Sequence, residues 1–242
     1  MPRGRDPSGG NGMAGQIVHK SRTARTCDAL RTMIVHAAYA PGAKLRIDQL
    51  CKTLEASTGA VREALSRLTA EGLVVAEPQK GFVVAPISRR DLSDLTEARV
   101  TIECLCLARS IKRGDVEWEA RVLALQHRLR ALDGAASVPD SPEAARWHAL
   151  HAEFHDELAS CCGNLWWLRL RTQLFLQSER YRRLSGPVDE DGRDITGEHD
   201  LIVKHAVERR TEEAVAAMAR HLNRTTEILL GSSLPFMDPA DG

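Results

Sequence analysis

Apolar residues recur at helical spacing along nearly the whole chain, and the pattern gives way to β-prone residues at one place only. There Leu73-Val74-Val75-Ala76 and Phe82-Val83-Val84 flank Pro78-Gln79-Lys80-Gly81, which reads as a hairpin. Ahead of it, Leu30, Ile34 and Ala37 mark a first helix, stopped by Pro41-Gly42. Leu50 and Leu54 mark a short second helix from about Ile47. Ser57 has the chemistry of an N-cap, Val61, Ala64, Leu65 and Leu68 form the stripe of a third helix, and Gly72 ends it. Three helices followed by a hairpin is the layout of a winged helix-turn-helix.

Behind Pro86-Ile87-Ser88, which reads as a linker, the period stays helical. Helices are expected near 90–113, 115–133, 141–162, 164–184, 190–209 and 211–230, with breaks at Gly114, Gly134 to Pro142, Gly163, Ser185-Gly186-Pro187 and Arg209-Arg210-Thr211. The expected fold is mainly α: a winged helix-turn-helix over 16–86 and an all-helical bundle over 90–230. Residues 1–15 and 231–242 read as tails, the second a loose end after the last helix. Aromatic content of 4% argues against a β-sandwich or a stacking platform for single strands.

Charge is unevenly spread although the net is zero. Residues 16–87 hold ten Lys/Arg and six Asp/Glu, whereas residues 88–242 hold 21 and 26. A basic front suits a polyanionic partner. The six cysteines include no C-x-x-C pair, and adjacent Cys161 and Cys162 are poorly placed to bridge each other. No run of about 18 apolar residues is present, so no membrane helix is expected. The expected location is the cytoplasm.

The segment Ser57 to Gly72, STGAVREALSRLTAEG, begins with small residues that permit close approach to a DNA groove. Arg62 and Arg67 could bridge a guanine edge or a phosphate, or could simply solvate one face of an amphipathic helix. A longer ordered run then narrows the choice: Pro41-Gly42-x-x-Leu45, Leu50, Ala60-Val61-Arg62-Glu63-Ala64-Leu65-x-Arg67-Leu68-x-Ala70-Glu71-Gly72-Leu73 and Pro78-x-Lys80-Gly81-x-x-Val84. It closely resembles the GntR family of regulators. The resemblance implies that the helix opening at Ser57 enters the major groove of double-stranded operator DNA and that Lys80-Gly81 is a wing tip at the minor groove. Its DNA-contacting residues map to Ser57, Thr58, Gly59, Arg62, Lys80 and Gly81, with Arg67 further along the same helix. The family usually has Arg where Thr58 stands and Gly where Glu55 stands. An operator read without that guanine donor should differ from the usual family sequence.

Histidines are the informative feature of the rear half. His148, His151 and His155 lie three and four apart, on one face of one helix, and His199 and His221 follow on two later helices. Imidazoles one turn apart can grip one metal ion and others can complete the shell, although a single buried histidine is often only a hydrogen-bonded core residue. Phe154-His155 with Gly163-Asn164, Glu198-His199, His221-Leu222 and Arg99-x-x-x-Glu103 resemble the FCD ligand-binding domain of the FadR subgroup of GntR regulators. That resemblance implies a divalent metal held by His155, His199 and His221, with His151 where the family has Asp, and a small organic acid beside it. Trading a carboxylate for an imidazole favours zinc, nickel or cobalt over harder ions, zinc or nickel above all. Arg99 is the candidate to hold the effector carboxylate, or is salt-bridged to Glu103 one turn on.

The expectation is therefore a metabolite-responsive transcription regulator acting as a repressor and a homodimer, without enzymatic activity. Two alternatives stay open. One is a metal-dependent hydrolase on the bundle with Glu153 or Glu157 as base, which lacks an H-E-x-x-H motif. The other is a metal-independent sensor of an acyl ligand.

Overall fold

The computed structural model describes residues 21–134, 141–185, 192–234, 236 and 237. The head begins with α1 (Arg22–Val35), capped by Ser21, whose hydroxyl accepts from the Ala24 amide at 3.1 Å. The expected run to Ala37 is shorter by two residues. Ala37 adopts φ +58°, and the Ala37 and Ala38 amides bond back to Ile34 and Met33, so the chain unwinds before Pro41. A strand that periodicity did not announce, β1 (Lys44–Leu45), follows. Then come α2 (Ile47–Thr53), α3 (Thr58–Ala70), β2 (Val74–Glu77) and β3 (Gly81–Val84). The sheet order is β1-β3-β2, antiparallel throughout, with Leu45 opposite Phe82 and Val75 opposite Val83. Two residues are too few to display alternation, which is why β1 is invisible in the sequence. The Ser57 hydroxyl caps α3 through the Ala60 amide at 3.3 Å, and Gly72, at φ +74°, ends its turn. Leu30, Ile34, Leu50, Val61, Leu65, Leu68, Leu73 and Val84 form the head's core.

Six helices follow: α4 (Arg89–Arg113), α5 (Val116–Arg130), α6 (Pro142–Ala159), α7 (Leu165–Ser185), α8 (Ile195–Val207) and α9 (Thr211–Gly231). A 3₁₀ turn over Ser160–Cys162 separates α6 from α7, so the expected helix 141–162 is shorter by that turn. The helix expected from 190 begins at Ile195, capped by Asp194, and residues 186–191 lie outside the described residues. Leu107, Ile111, Trp118, Phe154, Leu158, Ile202 and Met218 fill the centre of the bundle. The Trp118 indole donates to the Glu157 carbonyl at 2.9 Å, so its one polar atom is satisfied.

Two expectations are corrected here. The linker is anchored, because Ile87 is buried with Leu92, Tyr181 and Leu229. The described residues after α9 are likewise not loose. Leu234 and Phe236 pack on that same cluster, the Met237 amide donates to Ile87 O at 2.8 Å, and Arg89 lies 4.6 Å over the Phe236 ring. The apolar side chains at 234 and 236 fill a gap that helical periodicity could not foresee. The tail at 1–15 lies outside the described residues. All six cysteines are free thiols, and no helix among the described residues is long and apolar enough to cross a membrane.

Candidate functional site

α6 carries His151 and His155 one turn apart, and α8 and α9 bring His199 and His221 against them. One ring nitrogen from each lies within 4.8 Å of all the others. Ring centroids are 4.5 Å apart for His151–His155, 4.8 Å for His199–His221 and 5.3 Å for His155–His221. All four side chains are buried. Nδ1 of His151, both ring nitrogens of His155 and Nε2 of His199 have no hydrogen-bond partner. Buried polar atoms are normally paired, since an unpaired one costs about 1–3 kcal/mol. Burial holds the pKa values of His151, His155 and His199 well below the ordinary imidazole value, and neighbouring positive groups push the same way. The rings are neutral and present lone pairs to one another. Four buried imidazoles, each able to turn one nitrogen lone pair towards a common point, fit a borderline divalent cation such as zinc or nickel.

His221 is oriented by its surroundings. Its Nδ1 lies 2.6 Å from Glu198 Oε2, which makes Nδ1 the protonated nitrogen and leaves Nε2 free as the donor atom. Arg193 grips Glu198 through two bonds of 2.9 and 2.6 Å. Burial pushes the Glu198 carboxyl up, but the hydrogen bonds from His221 and Arg193 outweigh it and hold its pKa down to about 2.

A second polar group lies beside the histidines. Arg171 on α7 pairs with Glu103 on α4 at 2.7 Å and with Asp156 on α6 at 2.5 Å. Arg99 lies 3.5 Å from Glu103, so the ion pair expected at that spacing exists. Yet Arg99 Nε and Nη2 and Arg171 Nη2 are buried without hydrogen-bond partners. The Arg99 guanidinium stacks 4.9 Å over Phe175, whose ring is 6.1 Å from His155. Arg99 therefore offers spare donors close to the imidazoles. His148 is outside the cluster, and its Nδ1 accepts from Arg182 at 2.9 Å. Glu198, Arg193, Arg171 and Asp156 escaped sequence reasoning as parts of the site. Only Glu198, adjacent to His199, carried a signal.

At the other end of the molecule, Ser57, Thr58, Gly59 and Arg62 are exposed on the first turns of α3. At about 100° per residue, Arg62 lies only about 40° around the helix from Thr58. Arg67 lies about 180° from Thr58. It pairs with Glu63 at 2.5 Å and lines the groove between α1 and α3 with Asp28, Arg31 and Glu71. Arg67 thus lies on a different side of α3 from Arg62. Lys80 and Gly81 are exposed at the hairpin, where Gly81 takes φ +96° with open space around it. Its role is conformational: an L side chain would be strained there.

A three-helix head with an exposed third helix and a hairpin, followed by a helical domain, defines a winged-helix DNA-binding protein with an appended all-helical domain. The chain belongs to the GntR family: residues 22–84 match the model of the bacterial regulatory proteins of the gntR family, and residues 94–224 match the FCD domain. It is 36% identical over 204 residues to the HTH-type transcriptional regulator BphR of Paraburkholderia xenovorans (strain LB400), covering 84% of this chain and 83% of that protein. It is 34% identical over 203 residues to the HTH-type transcriptional repressor GlaR of Escherichia coli (strain K12), covering 80% and 89%. The fold is shared with E. coli McbR/YncC, with a TM-score of 0.73 and 18% identity over 88% of this chain and 98% of that one. A GntR regulator of Rhodococcus sp. RHA1 superimposes with a TM-score of 0.70 at 22% identity over 89% and 100%. The protein is a DNA-binding transcription regulator, as the relatives above are named, and it is this reading rather than the hydrolase alternative that the comparisons support.

Proposed function

We propose that this protein is a cytoplasmic repressor that binds operator DNA as a homodimer and responds to a small organic acid held at a transition-metal ion on His151, His155, His199 and His221. The observation carrying this reading is the set of buried, unpartnered imidazole nitrogens. A bound zinc or nickel ion supplies a positive centre that attracts a carboxylate. Glu198 fixes the tautomer of His221, and Arg193 keeps Glu198 in place. Arg99 offers its spare N–H groups to a carboxylate, beside a Phe175 face that gives the acid an apolar wall. On the DNA side, Ser57, Thr58, Gly59 and Arg62 meet the major groove and Lys80-Gly81 the minor. A repressor role accords with the name of the E. coli relative GlaR.

Metal analysis of the purified protein tests the reading. The wild type is expected to retain one equivalent of zinc or nickel, His155→Ala to lose most of it, and His148→Ala to keep it. Full occupancy in the His155→Ala protein removes the ligand assignment. A metal-free wild type that still responds to an acid favours the metal-independent reading.

A further inference from the structure

α7 runs from the histidine pocket to the DNA-binding head, and its contacts at the two ends differ in kind. At the pocket end, Arg171 is tied to Glu103 and Asp156, and Phe175 faces His155. Two residues on, the Gln177 amide donates to the backbone carbonyl of Glu71, the residue that terminates α3. Leu176 packs into the head's core. Glu71 is also gripped by Arg31 of α1 through bonds of 2.8 and 2.7 Å. At the far end a chain of polar contacts crosses the molecule. His36, at the end of α1, meets Arg183 at 3.0 Å, and Arg183 lies 3.9 Å from buried Glu179. Glu179 takes two bonds of 2.6 Å from Arg182, which reaches His148 on α6 at 2.9 Å. The neighbouring Trp147 meets His148 edge-on at 5.2 Å and stacks on His151 at 4.7 Å.

These contacts leave little slack. From Arg171 to Arg183 the helix spans about 18 Å and, being hydrogen-bonded at each turn, moves as one body. A buried carboxylate cannot shed its arginine partners without leaving an uncompensated charge, so Arg182 and Arg183 follow Glu179. Two packed arrangements are favoured over gradual deformation. We propose that α7 couples the histidine pocket to the DNA-reading helix, with Gln177 acting on the end of α3 and the Glu179–Arg182–Arg183 group linking α6 to α1. This rests on the metal-site reading above. Gln177 is a positioning residue: it touches neither metal nor DNA.

The test uses the full chain, with Zn²⁺ as the probe and a duplex enriched from random DNA by the protein itself. Backbone amide exchange over residues 65–73 is measured with and without one equivalent of Zn²⁺. The wild type is expected to change its exchange there by at least about twofold, the lower end of couplings measured within one contact network. Gln177→Ala is expected to bind the same amount of zinc and to lose the change in 65–73 while keeping the change in α6. A Gln177→Ala protein that retains the head response, or a wild type that binds zinc without any head response, overturns the proposal. A wild type that binds no zinc removes the metal reading instead. The coupling is then decided by the duplex affinities of Glu103→Gln, Gln177→Ala and the double variant in chelator. Fold-changes departing from a simple product by about threefold or more support α7 as the link, and a simple product overturns it. Far-ultraviolet dichroism of each variant certifies folding before either measurement.

Discussion

His148 sits one turn ahead of His151 yet does different work. Its Nδ1 accepts from the Arg182 guanidinium, which requires a neutral ring. Burial, then the charges of Arg182 and Arg183, push its pKa down to about 3 from an ordinary 6.5. A group whose pKa is depressed on folding resists protonation in the folded state, so its stability contribution is complete above about pH 6.5 and is lost as pH falls towards about 3. In urea titrations of metal-free protein, stability should fall across that window, and His148→Gln should flatten the fall. An unchanged slope would take His148 out of the acid-sensitive set. Arg62 makes a contrasting case: it is exposed and near Thr58 on the helix, so Arg62→Ala should weaken duplex binding by about 1–3 kcal/mol at fixed salt if it reads a base. An unchanged gel-shift titration removes it from the interface. His151 and His155 were legible because i, i+4 spacing on α6 is a local signal, whereas His199 and His221, on α8 and α9, were reached through the resemblance to the FCD domain. The side chains that orient them were not legible. Glu198 reaches His221 across 23 residues and Arg171 reaches Glu103 across 68, distances at which a single sequence holds no pairing information.

At the scale of elements, stop signals were readable where one residue determines the backbone. Gly72 and Gly163 take φ +74° and +68°, and Ser57 caps α3 through its side chain, as their residue types imply. Boundaries set by tertiary contact were not readable. Ala37 is left-handed without being glycine, and β1 exists because β3 offers it a partner. Gly163 offers a direct test of an element junction. An added Cβ would lie 2.8 Å from the Arg113 guanidinium, besides meeting a left-handed backbone. Arg113 is a flexible neighbour and can yield, so backbone strain of about 1–2 kcal/mol is the larger cost. Gly163→Ala should therefore lower the unfolding midpoint of the bundle. A midpoint equal to wild type would mean that the junction relaxes without strain.

For the whole molecule the proposed homodimer raises the question of how two heads would be held at one operator. A two-fold site read in the major groove requires recognition helices about 34–36 Å apart, and a monomer cannot supply that spacing. Within residues 21–85, Val75 is the exposed large hydrophobic side chain, at 39%. The helical domain exposes more: Val116, Leu123, Leu165, Trp166 and Leu170, with Trp166 at 70%. Trp166 and Leu170 are one turn apart on α7 and share a face. Exposed aromatic and aliphatic groups of this kind are the usual core of a subunit contact. The helical domain, rather than the head, is therefore expected to hold the dimer. Sedimentation of the full chain should give a dimer at micromolar concentration, and a Trp166→Asp, Leu170→Asp double variant should shift it towards monomer. The same variant should lose affinity for a two-fold operator far more than for a half-site, because each head still folds and still carries its own basic face. A wild type that sediments as a monomer at all concentrations sinks the homodimer. A double variant that stays dimeric places the contact on another face of the bundle and separates it from α7.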